Sequence, residues 1–263
     1  RRYGDRIRVI RQANGGHAGA LNRAIAEARC DYVAKCDADD IWVPEKLARQ
    51  VDALRDHPQL DVLFGAARFF GSVEGPYGID PGDGILDRTD LARRLYAGNF
   101  ACASTVMMRR ALWQRLGPFD GDIACEDYEY WLRALADDAV FHYDPHVLVH
   151  YRRHDAQLTH RLLRMHRAAH QVRLTYVDLV DDERLVSTVL AGDLATMARL
   201  YAAEGDTASA RASFVASLRR RPSGFALAWL LLLAAPQRWQ QSLASAGASL
   251  RRSVPGRFQA AVR

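Results

Sequence analysis

The chain has 263 residues, 49% of them apolar and 25% charged, with a formal net charge of +5. That length fits one large domain, or a domain with a smaller appendage. The apolar share is enough for a proper core, which excludes disorder, collagen-like repeats and a disulfide-held miniprotein. The longest apolar run, residues 225–235, falls short of the roughly eighteen residues that a spanning helix needs. A charged stretch (Arg1, Arg2, Asp5, Arg6) opens the chain, so no signal peptide is expected.

Charge is unevenly spread. From Arg161 onward there are 15 Arg against 7 acids, so the first 160 residues carry about three net negative charges; after Asp206 there are nine arginines and no acid. A mildly acidic front with a basic tail fits an enzyme tethered to an anionic surface better than a dedicated nucleic-acid binder. Cys30, Cys36, Cys102 and Cys125 lack paired CxxC spacing, so free thiols in a reducing, cytoplasmic setting are expected.

In chain order, residues 7–10 read as a strand, Asn14-Gly15-Gly16 as a turn, and Ala20, Leu21, Ala24, Ile25 and Ala28 as a helical stripe. A second strand over 32–36 runs into Asp37-Ala38-Asp39-Asp40. This strand–helix–strand unit implies a parallel sheet. A helix follows over 44–54, then a strand over 60–70, a long surface loop over 71–87 and a helix over 89–96. Next come a strand over 103–108, helices over 111–116 and 126–136, and strands over 140–143 and 147–151. After His160 only helices are expected. The pattern over 191–222 has the spacing of one tetratricopeptide unit, but a single copy cannot bury its faces alone, and an ordinary helical pair is the favoured reading.

Three features bear chemistry. Asp37, Asp39 and Asp40 crowd the carboxyl end of a strand, where open α/β sheets bind ligands. Their mutual repulsion suits a hard divalent cation, and helix capping by Asp40 is the alternative. Glu126 and Asp127 open a helix, either complementing its dipole or supplying a general base. His142, His146, His150, His154 and His160 recur along a stretch broken by Pro145, which argues for strand and turn rather than a helical metal stripe.

Taken together, Asn14-Gly15-Gly16-His17-Ala18-Gly19-Ala20-Leu21-Asn22, Asp37-Ala38-Asp39-Asp40-Ile41-Trp42-Val43-Pro44, Ser104-Thr105, Gly117-Pro118-Phe119-Asp120, Glu126-Asp127 with Trp131, and Tyr151-Arg152-Arg153-His154 resemble family 2 glycosyltransferases over roughly residues 5–160. The resemblance implies an α/β GT-A fold: a Rossmann-like, mostly parallel sheet flanked by helices. It also implies that a first strand and helix contacting the nucleotide base lie outside this chain. Residues 1–160 would form the transferase core and 161–263 a helical extension. The activity implied is inverting transfer from a UDP-, GDP- or dTDP-sugar to a glycan or lipid-linked acceptor, without nucleic acid. Asp127 would be the catalytic base, with Glu126 and Trp131 on the acceptor side. Asn14, Gly16, Asn22, Asp37 and Asp39 would contact the nucleotide sugar, and Asp39 and His154 would bind Mn²⁺ or Mg²⁺. A non-catalytic, transferase-like interaction protein is the alternative. The apolar segment 225–233, flanked by Arg219-Arg220-Arg221 and Arg238 and carrying Trp229 with Trp239 nearby, reads equally as a peripheral contact with an anionic membrane on its cytoplasmic face or as a core helix.

Overall fold

The computed structural model describes residues 6–153 and 162–234. It is an α/β structure built on one mixed seven-stranded sheet in the order β1-β6-β3-β7-β2, with β4 added to β3 and β5 to β7. The strands are β1 (Tyr32–Ala34), β2 (Ile41–Trp42), β3 (Val62–Gly71), β4 (Gly75–Tyr77), β5 (Gly84–Ile85), β6 (Met107–Arg109) and β7 (Phe141–Arg153). Helices α1 (Gly16–Ala26), α2 (Lys46–Asp56), α3 (Arg88–Ala97), α4 (Arg110–Leu116) and α5 (Glu126–Ala136) belong to the same half. Helices α6 (Leu162–Thr175), α7 (Glu183–Ala203), α8 (Thr207–Arg220) and α9 (Gly224–Ala234) follow.

Three expectations are corrected. The sheet is not mostly parallel: β3 and β7 pair in parallel, whereas β1–β6, β6–β3 and β2–β7 are antiparallel. Strands β1, β3 and β7 do run the same way, but β6 returns between β1 and β3, and hydrophobic periodicity carries no information on direction. Residues 7–10 form no strand. Ile7 and Val9 are 55% and 76% exposed, and an apolar-rich run gains little from extension unless a neighbouring strand takes its backbone hydrogen bonds. The expected loop over 71–87 contains β4 and β5, which extend the sheet along β3 and β7.

The two strand segments expected around Pro145 are one bulged strand. Its register with β3 shifts between Gly65 and Ala67, opposite residues 144–149, where Pro145 has no N–H to give to a ladder. Gly65 is required there, because a Cβ would lie 2.6 Å from Leu148 Cδ1 and 2.7 Å from the Asp144 carbonyl.

The main core lies between the sheet and helices α1, α3, α4 and α5. Phe64, Leu95, Tyr128, Leu132 and Phe141 are all buried in it. Helix α6 and the first half of α7 contribute Ala169, Val172 and Val189 to the same core. The second half of α7 packs with α8 and α9 around Phe214, Ala210 and Ala226 in a separate cluster, as an ordinary helical pair with one further helix. Among the described residues no helix is long and apolar enough to cross a membrane.

Candidate active site

The site forms where β1 ends and where two helices begin. The first turn of α1 carries Gly16, in a left-handed conformation (φ 74°), and His17. Asn14 prepares that turn, its Oδ1 accepting from the Gly16 amide at 3.0 Å. The first turn of α5 carries Glu126, Asp127 and Glu129, acids that the helix dipole favours at this end. His17 joins the two helix starts, its Nδ1 donating to Glu126 Oε1. The opposite ring nitrogen, Nε2, lies 3.7 Å from Asp37 Oδ1. One imidazole therefore links the acid motif after β1 to the acid motif of α5. Sequence reasoning assigned it no role, although its place in the first turn of α1, beside a glycine-rich segment, was a usable signal.

The acidic turn is held by specific partners rather than by helix α2, whose N-cap is Glu45 without a side-chain cap. Asp37 is paired with Lys35 Nζ at 3.0 Å, and its amide donates to buried Ser104 Oγ at 3.0 Å. Ser104 in turn donates to Asp40 Oδ2 at 2.6 Å, while Asp40 Oδ1 accepts from the Arg152 amide at 2.9 Å. The Asp39 carbonyl accepts from Arg152 Nε at 2.9 Å. The segment 102–105 and the end of β7 thus fix the three aspartates. Capping, the alternative role for Asp40, is not what its carboxylate does.

Electrostatics differ across this short span. The carboxylate of Asp37, and then the hydrogen bond to Glu126, raise the His17 pKa to about 9, so the ring is cationic at neutral pH. Burial works against ionisation of Asp37, but His17 and Lys35 hold its pKa at about 2. Glu126, also partly buried, is lowered by His17. Asp40 is raised by burial, with the charges of Asp39 and Asp37 adding to the effect. Asp127 is raised as well, first by burial and then by neighbouring Glu126. Its Oδ2 accepts from Asn99 Nδ2 at 3.2 Å and its Oδ1 from the Tyr128 amide at 2.7 Å. Two carboxylates adjacent in sequence are therefore pushed in opposite directions, a pattern associated with divided acid–base roles.

Next to these groups lies a cavity of about 380 Å³, whose lining includes His17, Lys35, Phe119, Asp127 and Trp131, with apolar residues of α1 and β1 behind them. This volume is in the range of small-ligand sites. Trp131 is 3% exposed and its indole N–H, buried at the cavity, has no hydrogen-bond partner.

The structure brings together Gly16, Asp37, Glu126, Asp127 and Trp131, with Asn14 shaping the turn, while Asp39 sits in the acidic turn with its carbonyl held by Arg152. Asn22 goes elsewhere: its amide donates to the Phe119 carbonyl and accepts from the Phe119 amide, both at 2.8 Å. This pairing pins the Gly117–Asp120 segment under the cavity. His154 lies outside the described residues. Among the described residues no three His, Cys, Asp or Glu side chains converge on a preformed metal cage. Cys30 and Cys36 are exposed free thiols, and Cys102 and Cys125 are buried ones.

Comparison with known proteins agrees with this arrangement. Residues 1–117 match the family described as glycosyl transferase family 2. An uncharacterized glycosyltransferase of Rickettsia typhi is 27% identical over 165 residues, covering 61% of this chain and 52% of that protein. Another, from Methanocaldococcus jannaschii, is 25% identical over 154 residues, covering 56% and 50%. The chain thus spans about half the length of these relatives. Among solved structures, S. aureus TarS 1–349 in complex with UDP-GlcNAc superposes with a TM-score of 0.60 at 14% identity, covering 97% of this chain and 79% of that 1–349 chain. The fold is the expected GT-A fold with a helical C-terminal region. Residues 1–117 are thus similar to glycosyltransferase family 2, and the chain shares the fold of TarS 1–349.

Proposed function

We propose that the domain transfers a glycosyl group from a nucleotide-sugar donor, a UDP-, GDP- or dTDP-sugar, to a hydroxyl of a glycan or lipid-linked acceptor, with inversion. The observation that carries this reading is the convergence of the α1 and α5 N-termini on the acidic turn, tied by His17 between Glu126 and Asp37. Helix N-termini favour anions, and the exposed first turn of α1 suits a diphosphate.

Asp127 is the proposed base. In a single displacement the acceptor oxygen bonds to the anomeric carbon as the bond from that carbon to the diphosphate oxygen breaks. Asp127 takes the hydroxyl proton, and the nucleoside diphosphate departs with the bonding pair. A carboxylate whose pKa is raised by burial and by Glu126 is a stronger base for that proton. Asn99 and the Tyr128 amide hold its two oxygens in place. In this reading Glu126, fixed by His17, and Trp131, which lines the cavity, orient the acceptor.

The acidic turn fits a hard divalent cation in charge and donor type: Asp40 is raised in part by the crowding of Asp39 and Asp37, and all three offer oxygen. Asp39 would hold Mn²⁺ or Mg²⁺, with His154 a second ligand in this reading and donor phosphate oxygens completing the shell. A bound cation would supply Lewis-acid stabilisation of the charge on the leaving diphosphate. Asp37, already neutralised by Lys35 and His17, is placed for a hydroxyl of the donor. A cytoplasmic setting, with the protein peripheral to an anionic membrane, would put a lipid-linked acceptor within reach.

Nucleoside diphosphate release from UDP-, GDP- and dTDP-sugars with Mn²⁺ tests the assignment. Asp127→Asn should retain donor binding and lower turnover by about 10²-fold or more. Unchanged turnover in that variant would remove Asp127 as the base. Absence of binding by the wild type to every donor would favour the non-catalytic alternative.

A further inference from the structure

Helix α9 is apolar on every side, yet among the described residues only one side is covered. Ala226 and Leu233 are buried against α8. Trp229 stacks on Phe214 with ring centroids 5.7 Å apart, so it faces inward. On the opposite arc, Leu227 and Leu231 are 52% and 66% exposed, whereas Phe225, 51% exposed, turns its ring toward Trp229 at the helix start. Residues four apart share a helix face, so these leucines form one ridge. A helix hydrophobic all round is ordinarily buried all round.

The surroundings of that ridge are basic. Arg219 and Arg220, both exposed, end α8 just before α9 begins. Arg199 of α7 sits 5.7 Å from the Phe225 ring, and Arg211 of α8 donates to the Leu233 carbonyl. No Asp or Glu occurs anywhere after Asp206. An apolar ridge set among arginines, with no acid in that part of the sequence, matches the chemistry of an anionic lipid surface, whose headgroups take the guanidinium groups while the acyl boundary takes the leucines.

We propose that the outer ridge of α9 (Leu227 and Leu231), with the arginines Arg219 and Arg220 that end α8, docks on an anionic membrane without crossing it. Trp229 has no part in this contact. The proposal does not depend on the transferase chemistry, and its test needs no turnover.

The test is co-sedimentation of the complete chain with vesicles of phosphatidylcholine alone and with added phosphatidylglycerol, at low and high salt. The wild type should partition onto the anionic vesicles, and high salt should weaken it. Leu227→Glu/Leu231→Glu should weaken partitioning about tenfold or more. Arg219→Ala/Arg220→Ala, at exposed positions, should weaken it several-fold, and circular dichroism checks that both variants are folded. Three results would each overturn the proposal: no partitioning of the wild type, undiminished partitioning of the folded leucine variant, or a wild-type dimer in sedimentation equilibrium that the leucine variant dissolves. The last would assign the ridge to a second copy of the chain.

Discussion

Replacing Arg173 by methionine should be among the most damaging single changes outside the cleft. The guanidinium is 2% exposed and joins three helices. Its Nη1 donates to Asp193 Oδ1 of α7 at 2.6 Å. Its Nε and Nη2 donate to the Tyr96 and Ala97 carbonyls at 2.8 and 3.2 Å, capping the end of α3 as helix carbonyls require. Methionine keeps most of the apolar stem, so lost packing is a minor part of the effect. What remains is a buried Asp193, held at 3.2 Å by His170 Nδ1, an Ala97 carbonyl deprived of its donor, and a Tyr96 carbonyl left with the Tyr128 hydroxyl at 3.2 Å. Leaving one partner of a buried ion pair alone costs about 3–5 kcal/mol, a large part of a typical stability of about 5–15 kcal/mol. Denaturant unfolding followed by fluorescence and by circular dichroism measures this. Arg173→Met should lower stability by about that amount, and Arg173→Met/Asp193→Leu should recover much of it because no charge is then stranded. Because α6 and α7 share the main core, both probes should report one transition. A loss of less than about 1 kcal/mol for the single variant would refute the reasoning, since surface pairs give values of that size.

Other outcomes follow from the same contacts. Asn22→Ala removes both partners of the buried Phe119 backbone and should cost about 1–3 kcal/mol, read from the unfolding midpoint. If Asn22 served the ligand alone, stability would not move. His17 is raised from 6.5 to about 9 in the folded state, so its contribution to stability is fully present below pH 6.5 and is lost as pH rises through 9. The stability difference between wild type and His17→Gln should therefore shrink across that window, and a pH-independent difference would contradict the pairing. The Asp127→Asn assay completes this set, with turnover falling while donor binding persists.

Legibility in the sequence varied with the range of the interactions involved. Helix α5 was expected over 126–136 and is observed as Glu126–Ala136, because acids at its start and an apolar stripe mark it locally. The acidic turn was equally legible, being a cluster within four residues. By contrast, the return of β6 between β1 and β3 depends on pairing such as Val33 with Met108, far apart in sequence, and periodicity is blind to strand direction. Asn22 shows the same limit: its motif pointed to the ligand, yet its partner is the Phe119 backbone 97 positions away. Residues 7–10 carry a strand-like composition without a strand to pair with. His17 acquires meaning only when α1 and α5 are brought together, since neither acid motif alone predicts an imidazole between them.

The central claim is that the turn at Asp39 gathers a divalent cation and a diphosphate opposite Asp127. An anomalous difference map from crystals soaked with Mn²⁺ and a nucleoside diphosphate tests it most directly. The account predicts a manganese peak at bonding distance from the Asp39 carboxylate, with the diphosphate against the first turn of α1. A map empty at that corner, or manganese bound only at a distant surface, would contradict it.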